Sequence, residues 1–143
     1  MKIVLDTNVL VAGLLSPFGP CADIVRMVSS GNLTLCIDAR VLSEHRQVLE
    51  HPKFSFDHDK IAAILDYIEH HGWVVASTPL SLALRDPDDE PFLEIAVSCG
   101  ADYLVTGNAA HFPPELCQGV HVFSPADFLK RAVKLPKGKK RDT

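Results

Sequence analysis

Apolar residues fall in short blocks along the chain, and polar breaks separate them. Lys2–Leu5 (KIVL) has the length and composition of a buried strand, ended by the polar triplet Asp6-Thr7-Asn8. From Asn8 the segment VLVAGLLS predicts a short helix stopped by Ser16-Pro17. Pro20–Ser30 predicts a second helix, with Ile24, Val25, Met27 and Val28 apolar and Gly31 as its stop. Leu33–Ile37 predicts a second strand. Asp38 caps a helix over ARVLSEHRQVLEH, which must end before Pro52. Its apolar positions Val41, Leu42, Val48 and Leu49 leave Glu44 at the border of the buried face. Asp57 caps a further helix in which Ile61, Ile64, Leu65 and Ile68 recur at helical spacing before Gly72.

The second half continues the alternation. Trp73–Ala76 is a short strand candidate, and Pro91–Ser98 predicts a helix with Pro91 in its first turn and Gly100 after it. Asp102–Thr106 and Val120–Phe123 predict the last strands, and Ser124-Pro125 opens a final helix with Asp127 at its third position. Strands separated by helices imply an α/β fold: a three-layer sandwich with a mostly parallel central sheet and helices on both faces. In such sheets chemistry gathers outside the carboxyl ends of the strands, which here are followed by Asp6-Thr7-Asn8 and Gly107-Asn108.

The 143 residues suit one domain, and 47% hydrophobic against 22% charged residues excludes a disordered chain. The net charge of −4 is unevenly placed. Residues 130–143 hold seven Lys and Arg against one acid, a net +6, while residues 1–129 hold seven bases against seventeen acids, a net −10. We therefore expect a globular body over 1–133 and a basic, disordered tail over 134–143. Such a tail adds salt-sensitive attraction to a polyanion. No two of the four cysteines form a C-x-x-C pair, and Cys36 and Cys99 sit in apolar stretches as expected of buried thiols in a reducing compartment. Lys2 and the apolar residues after it mimic a leader, but Asp6 breaks the run after three residues. The longest uncharged stretch, Thr7–Ala22, is broken by two prolines and too short to span a bilayer, so no membrane contact is expected.

Asp86-Pro87-Asp88-Asp89-Glu90-Pro91 places four carboxylates at a helix start. Capping and the helix dipole account for one or two, at roughly 0.3–1 kcal/mol each; four repel one another. A divalent cation turns that repulsion into binding, because hard cations take oxygen ligands. Asp6, Glu44, Asp89 or Glu90, and Asn108 form a constellation drawn from different elements. Read singly, each has a plainer role: a cap for Asp6, a surface acid paired with Arg40 or Arg46 for Glu44, a turn residue for Asn108, an ordinary loop residue for His111. Together, without a His or Cys ligand cluster, they indicate Mg²⁺, or Mn²⁺, rather than zinc. Sites of this kind use substrate phosphates as further ligands, and the matching chemistry is phosphodiester hydrolysis.

The pieces KIVLDTNVLVAGLLSP, LSEHRQVLEHPKF, DPDDEPFLEIAVSCGADYLVTGN and HFP occur in that order over residues 1–130. In this order and spacing the chain resembles the PIN-domain ribonucleases of the VapC-like toxin group. The resemblance implies a PIN-like sandwich. It implies that Asp6 is the first acidic ligand, supported by Thr7 and Asn8, that Glu44 is the second, and that the third lies in Asp89-Glu90. By register with the following FLEIA helix, Glu90 aligns with the family's metal-side acid, usually Asp; its extra methylene can leave the task to Asp89. Asn108 falls where many relatives carry a fourth Asp, so the site loses one negative charge.

A haloacid-dehalogenase-like phosphatase also begins with a strand and an Asp, but that resemblance wants an acid where Asn8 stands. It also wants a Ser or Thr strand end before the acidic pair, and Thr106 comes after it. The expected activity is therefore that of a Mg²⁺-dependent endoribonuclease on single-stranded RNA, in the cytoplasm, with Asp6, Glu44, Asp89, Glu90 and Asn108 in the site. Lys53 and Arg46 are candidates for holding the RNA backbone. The resemblance further implies a homodimer and a small antitoxin partner. The alternative is a catalytically weak PIN domain that serves as an RNA-binding or protein-interaction module.

Overall fold

In the computed structural model, which describes residues 1–133, five parallel strands form one sheet in the order β3-β2-β1-β4-β5. The strands are β1 (Lys2–Leu5), β2 (Thr34–Ile37), β3 (Trp73–Val74), β4 (Tyr103–Val105) and β5 (His121–Phe123). Between and after them run α1 (Thr7–Leu15), α2 (Pro20–Ser29), α3 (Ala39–Leu49), α4 (His58–His71), α5 (Glu90–Cys99) and α6 (Pro125–Phe128). The sheet is wholly parallel. The tail expected over 134–143 lies outside the described residues.

Strand alternation sorts the core into two halves. Ile3 and Leu5 of β1, Leu35 and Ile37 of β2, and Val105 of β4 face α1, α2, α4 and α6. The intervening Val4, Cys36 and Leu104 face α5, whose Phe92, Leu93, Ile95 and Ala96 cover the second face. Each of these strands is thus buried on both sides, which is why it reads as a continuous apolar run. β5 pairs with β4 and Phe128 of α6 is fully buried, so residues beyond 110 complete the same body.

The caps follow the sequence. Asp6 accepts from the Asn8 N–H, Asp38 from the Val41 N–H, and Asp57 from the Asp59 N–H. Arg40 bridges Asp38 (2.7 Å) and Glu94 (2.8 Å), tying α3 to α5. Burial alone would raise the Asp38 carboxyl; hydrogen bonds from Arg40, the Val41 N–H and Ser77 outweigh it and hold the group below its usual range. β3 is shorter than expected, because its two residues lie exposed at the sheet edge, where an apolar face is not enforced. A 3-10 turn over Pro87–Asp89 precedes α5, so the helix begins at Glu90 with Asp89 as its cap, one residue before the expected Pro91.

The cysteines need a correction. Cys36 on β2 and Cys99 at the end of α5 are not separate thiols but a disulfide, with Cα atoms 6.8 Å apart, so these cysteines do not support the expected reducing compartment. Both side chains point into the core under α5, which brings together residues 63 apart in sequence. Closing a loop of that length stabilises by about 4 kcal/mol in the chain-entropy account. We expect oxidised protein, unfolded without reductant, to show two reactive thiols, Cys21 and Cys117, and four after reduction, with a matching drop in unfolding free energy. Thiol titration and denaturant melts check this; four thiols before reduction contradict it.

Candidate functional site

The strand order places one junction apart from the rest. From β1 the chain winds outward through β2 to β3, then returns to lay β4 on the other side of β1. The carboxyl ends of β1 and β4 therefore border a crevice between diverging connections, where parallel sheets bind ligands. Asp6 stands at that point. Its N–H continues the ladder to the Val105 carbonyl at 3.0 Å, and its side chain is buried. Oδ1 accepts from the Asn8 N–H at 3.3 Å and Oδ2 from the Thr106 hydroxyl at 2.9 Å. Thr106, wholly buried one residue past β4, accepts in turn from the Asn108 N–H at 3.0 Å. One hydroxyl thus fixes both the first acid and the loop that carries Asn108.

A second threonine does the same for Glu44. The Thr7 hydroxyl donates to Glu44 Oε2 at 2.7 Å and lies 2.9 Å from Nδ1 of the buried His45. Neither arginine expected as a Glu44 partner engages it: Arg40 holds Asp38 and Glu94, and Arg46 stands 4.0 Å from Glu69.

Asp6, Glu44, Asp89 and Asn108 line one cleft of about 430 Å³ together with Asp86 and His111. Among the described residues no Lys or Arg lines it, and the candidates Lys53 and Arg46 stand outside it. Burial raises the Asp89 carboxyl above its usual range, the charges of Asp86 and Asp6 add to this, and a hydrogen bond with His111 opposes it. His111 Nδ1 lies 3.1 Å from Asp89 Oδ2. Single ligand atoms of Asp86, Asp89 and His111 all fall within 4.8 Å of one another.

Glu90 is the residue that does not join. Its Oε2 accepts from the Leu84 N–H at 2.9 Å, tethering the preceding loop, and it does not line the cleft. The 3-10 turn explains the difference. It ends between the two acids, leaving Asp89 in the cleft and Glu90 tied to the preceding loop, so of the pair left open by the sequence it is Asp89 that the structure brings to Asp6 and Glu44. Sequence reasoning also passed over Thr106, His45 and His111. Thr106 reads as a strand end, His45 as a helix residue beside Glu44, and His111 as a loop residue.

The donor set suits a hard divalent cation. The cleft carries five carboxylates, from Asp6, Glu44, Asp86, Asp88 and Asp89, and two amides, from Asn8 and Asn108. Asp89 is pressed toward its neutral form by burial and by its acidic neighbours, and a cation relieves that repulsion. Compared with known families, residues 2–110 match the description PIN domain. No curated protein matches the chain.

Burial lowers the His45 imidazole from 6.5 to about 4. Between those values the unfolded chain holds a proton on this ring that the folded chain refuses. The contribution is therefore full above pH 6.5 and lost as pH falls toward 4, by up to about 3 kcal/mol. Denaturant melts at about pH 7 and about pH 4.5 should show this loss in the wild type and a smaller one in His45→Leu. Equal pH dependence in the two proteins contradicts it.

Proposed function

The chain belongs to the PIN-domain family, and on that premise we propose that it is a Mg²⁺-dependent endoribonuclease hydrolysing phosphodiester bonds of single-stranded RNA. Members of this family are generally nucleases that bind divalent metal. The observation that carries the proposal is the meeting of Asp6, Glu44 and Asp89, 38 and 45 positions apart in sequence, in one cleft without an arginine or lysine among the described residues.

In this reading Asp6 and Asp89 would hold the cation, with Asp86 within reach of Asp89, and Glu44 would complete the site or orient the attacking water. A bound cation acts as a Lewis acid, easing deprotonation of water and offsetting charge that builds on the phosphate. Thr106 holds one oxygen of the Asp6 carboxylate and Thr7 one oxygen of Glu44, which orients both acids before substrate arrives. Asn108 offers a neutral amide beside Asp6. Water adds to phosphorus in line and the P–O3′ bond breaks, leaving 5′-phosphate and 3′-hydroxyl ends. This chemistry needs no 2′-hydroxyl, so RNA over DNA follows from the family resemblance.

We extend the proposal to the toxin of a toxin–antitoxin pair, a homodimer restrained by a small antitoxin protein and acting in the cytoplasm. What supports this is the resemblance of the whole body to that group. The neutral Asn108 favours the second reading, an RNA-binding PIN domain of weak activity, because it leaves the cleft one charge short of the family pattern. No single described helix is long and apolar enough to cross a membrane.

The test is cleavage of single-stranded RNA by the purified chain. We expect cutting with Mg²⁺ that stops with EDTA. Asp6→Asn and Asp89→Asn should lower the rate by more than the roughly 10–100-fold that loss of an outer partner costs, and Glu90→Gln should change it little. Unchanged cutting by Asp6→Asn contradicts the assignment. Cation-dependent RNA binding without cutting supports the second reading.

A further inference from the structure

Thr7 has one hydroxyl hydrogen and two partners. Its Oγ1 stands 2.7 Å from Glu44 Oε2 and 2.9 Å from His45 Nδ1. A carboxylate oxygen only accepts, so the bond to Glu44 consumes the Thr7 hydrogen. His45 Nδ1 must then bring its own hydrogen to Thr7 Oγ1. With the ring hydrogen on Nε2 instead, the bare Nδ1 would compete with Glu44 for the single Thr7 hydrogen. The location of one hydrogen on a buried ring decides whether Glu44 is tied or loose.

Neither contact with RNA nor the filling of space accounts for a histidine at this position. The ring is only 1% exposed, which keeps it from a nucleic acid in the cleft. An aliphatic side chain would fill the core without burying a polar nitrogen. On the opposite side of the cleft the Asn108 N–H, Thr106 hydroxyl and Asp6 carboxylate form the same donor–hydroxyl–carboxylate series. There a backbone amide, which cannot change its donor role, starts the series. At Glu44 a side chain starts it, and the tautomer of that side chain sets its direction.

We propose that His45 is a positioning residue: by donating from Nδ1 to Thr7 it commits the Thr7 hydroxyl to Glu44 Oε2. Glu44 Oε1, which has no protein partner among the described residues, is thereby kept for a ligand in the cleft. This rests on reading the cleft as a cation site. His45 touches neither cation nor substrate; its effect passes entirely through Thr7.

Long-range ¹H–¹⁵N NMR of the imidazoles in the full chain reads the tautomer directly. The hydrogen is expected on Nδ1 of His45, and a hydrogen on Nε2 alone overturns the proposal. Calorimetric titration with Mn²⁺ alone compares the wild type with His45→Asn, whose amide restores a donor near the Nδ1 position, and with His45→Leu, which does not. Loss of the donor should weaken Mn²⁺ binding about tenfold in His45→Leu, and His45→Asn should stay within about threefold of wild type. In a Thr7→Val background His45→Leu should add no further loss, because both substitutions break one series. Wild-type Mn²⁺ affinity in folded His45→Leu, or additive losses in the double variant, overturns the proposal. Absence of Mn²⁺ binding by the wild type overturns the cation-site reading instead, and the tautomer still decides the Thr7 arrangement.

Discussion

Carboxylates brought together at the end of a sheet repel one another, and this chain holds them there with neutral hydroxyls. Thr106 donates to Asp6 and Thr7 donates to Glu44, each at hydrogen-bond distance. A hydroxyl orients a carboxylate without cancelling its charge. The cleft therefore keeps a concentrated negative field with fixed acceptor atoms, which is the condition for capturing a small, hard cation. The strand order makes this arrangement available, since β1 and β4 deliver Asp6 and Thr106 side by side at the switch in winding direction.

The chain also shows the other way of treating buried acids. Asp38 and Glu94, both under a tenth exposed, share the guanidinium of Arg40 and are held as an ion-paired clasp between α3 and α5. Arg40 lies on the same helix as Glu44. An arginine solution was thus within reach of this scaffold and is used where rigidity is the need. At Asp6, Glu44 and Asp89 no lysine or arginine lines the cleft among the described residues. The raised Asp89 carboxyl records the cost of leaving them unneutralised. Sites that carry such a cost are where function is sought first.

Much of this was legible in the amino-acid order. The strands buried on both faces stand out as apolar blocks, and Asp38 and Asp57 announce their helices because capping is a local interaction. That Asp6, Glu44 and Asn108 share a cleft could be anticipated because each follows or borders an element whose position could be read. The misses are non-local or rest on single-residue geometry. The Cys36–Cys99 bond depends on α5 crossing β2, which no spacing reveals. Which of Asp89 and Glu90 lines the cleft, left open by the sequence, turns on a three-residue 3-10 turn that helix periodicity does not register. Thr106, His45 and His111 act through hydrogen bonds to residues 22 to 100 positions away, and each has an unremarkable local role.

If Asp6, Glu44 and Asp89 form one centre for a divalent cation, crystals soaked in Mn²⁺ will show it by anomalous diffraction. The expected result is a peak inside the cleft, within bonding distance of the Asp6 and Asp89 carboxylates. A cleft without a peak at saturating Mn²⁺, or a peak bound only at surface acids such as Asp23 or Glu69, would contradict it.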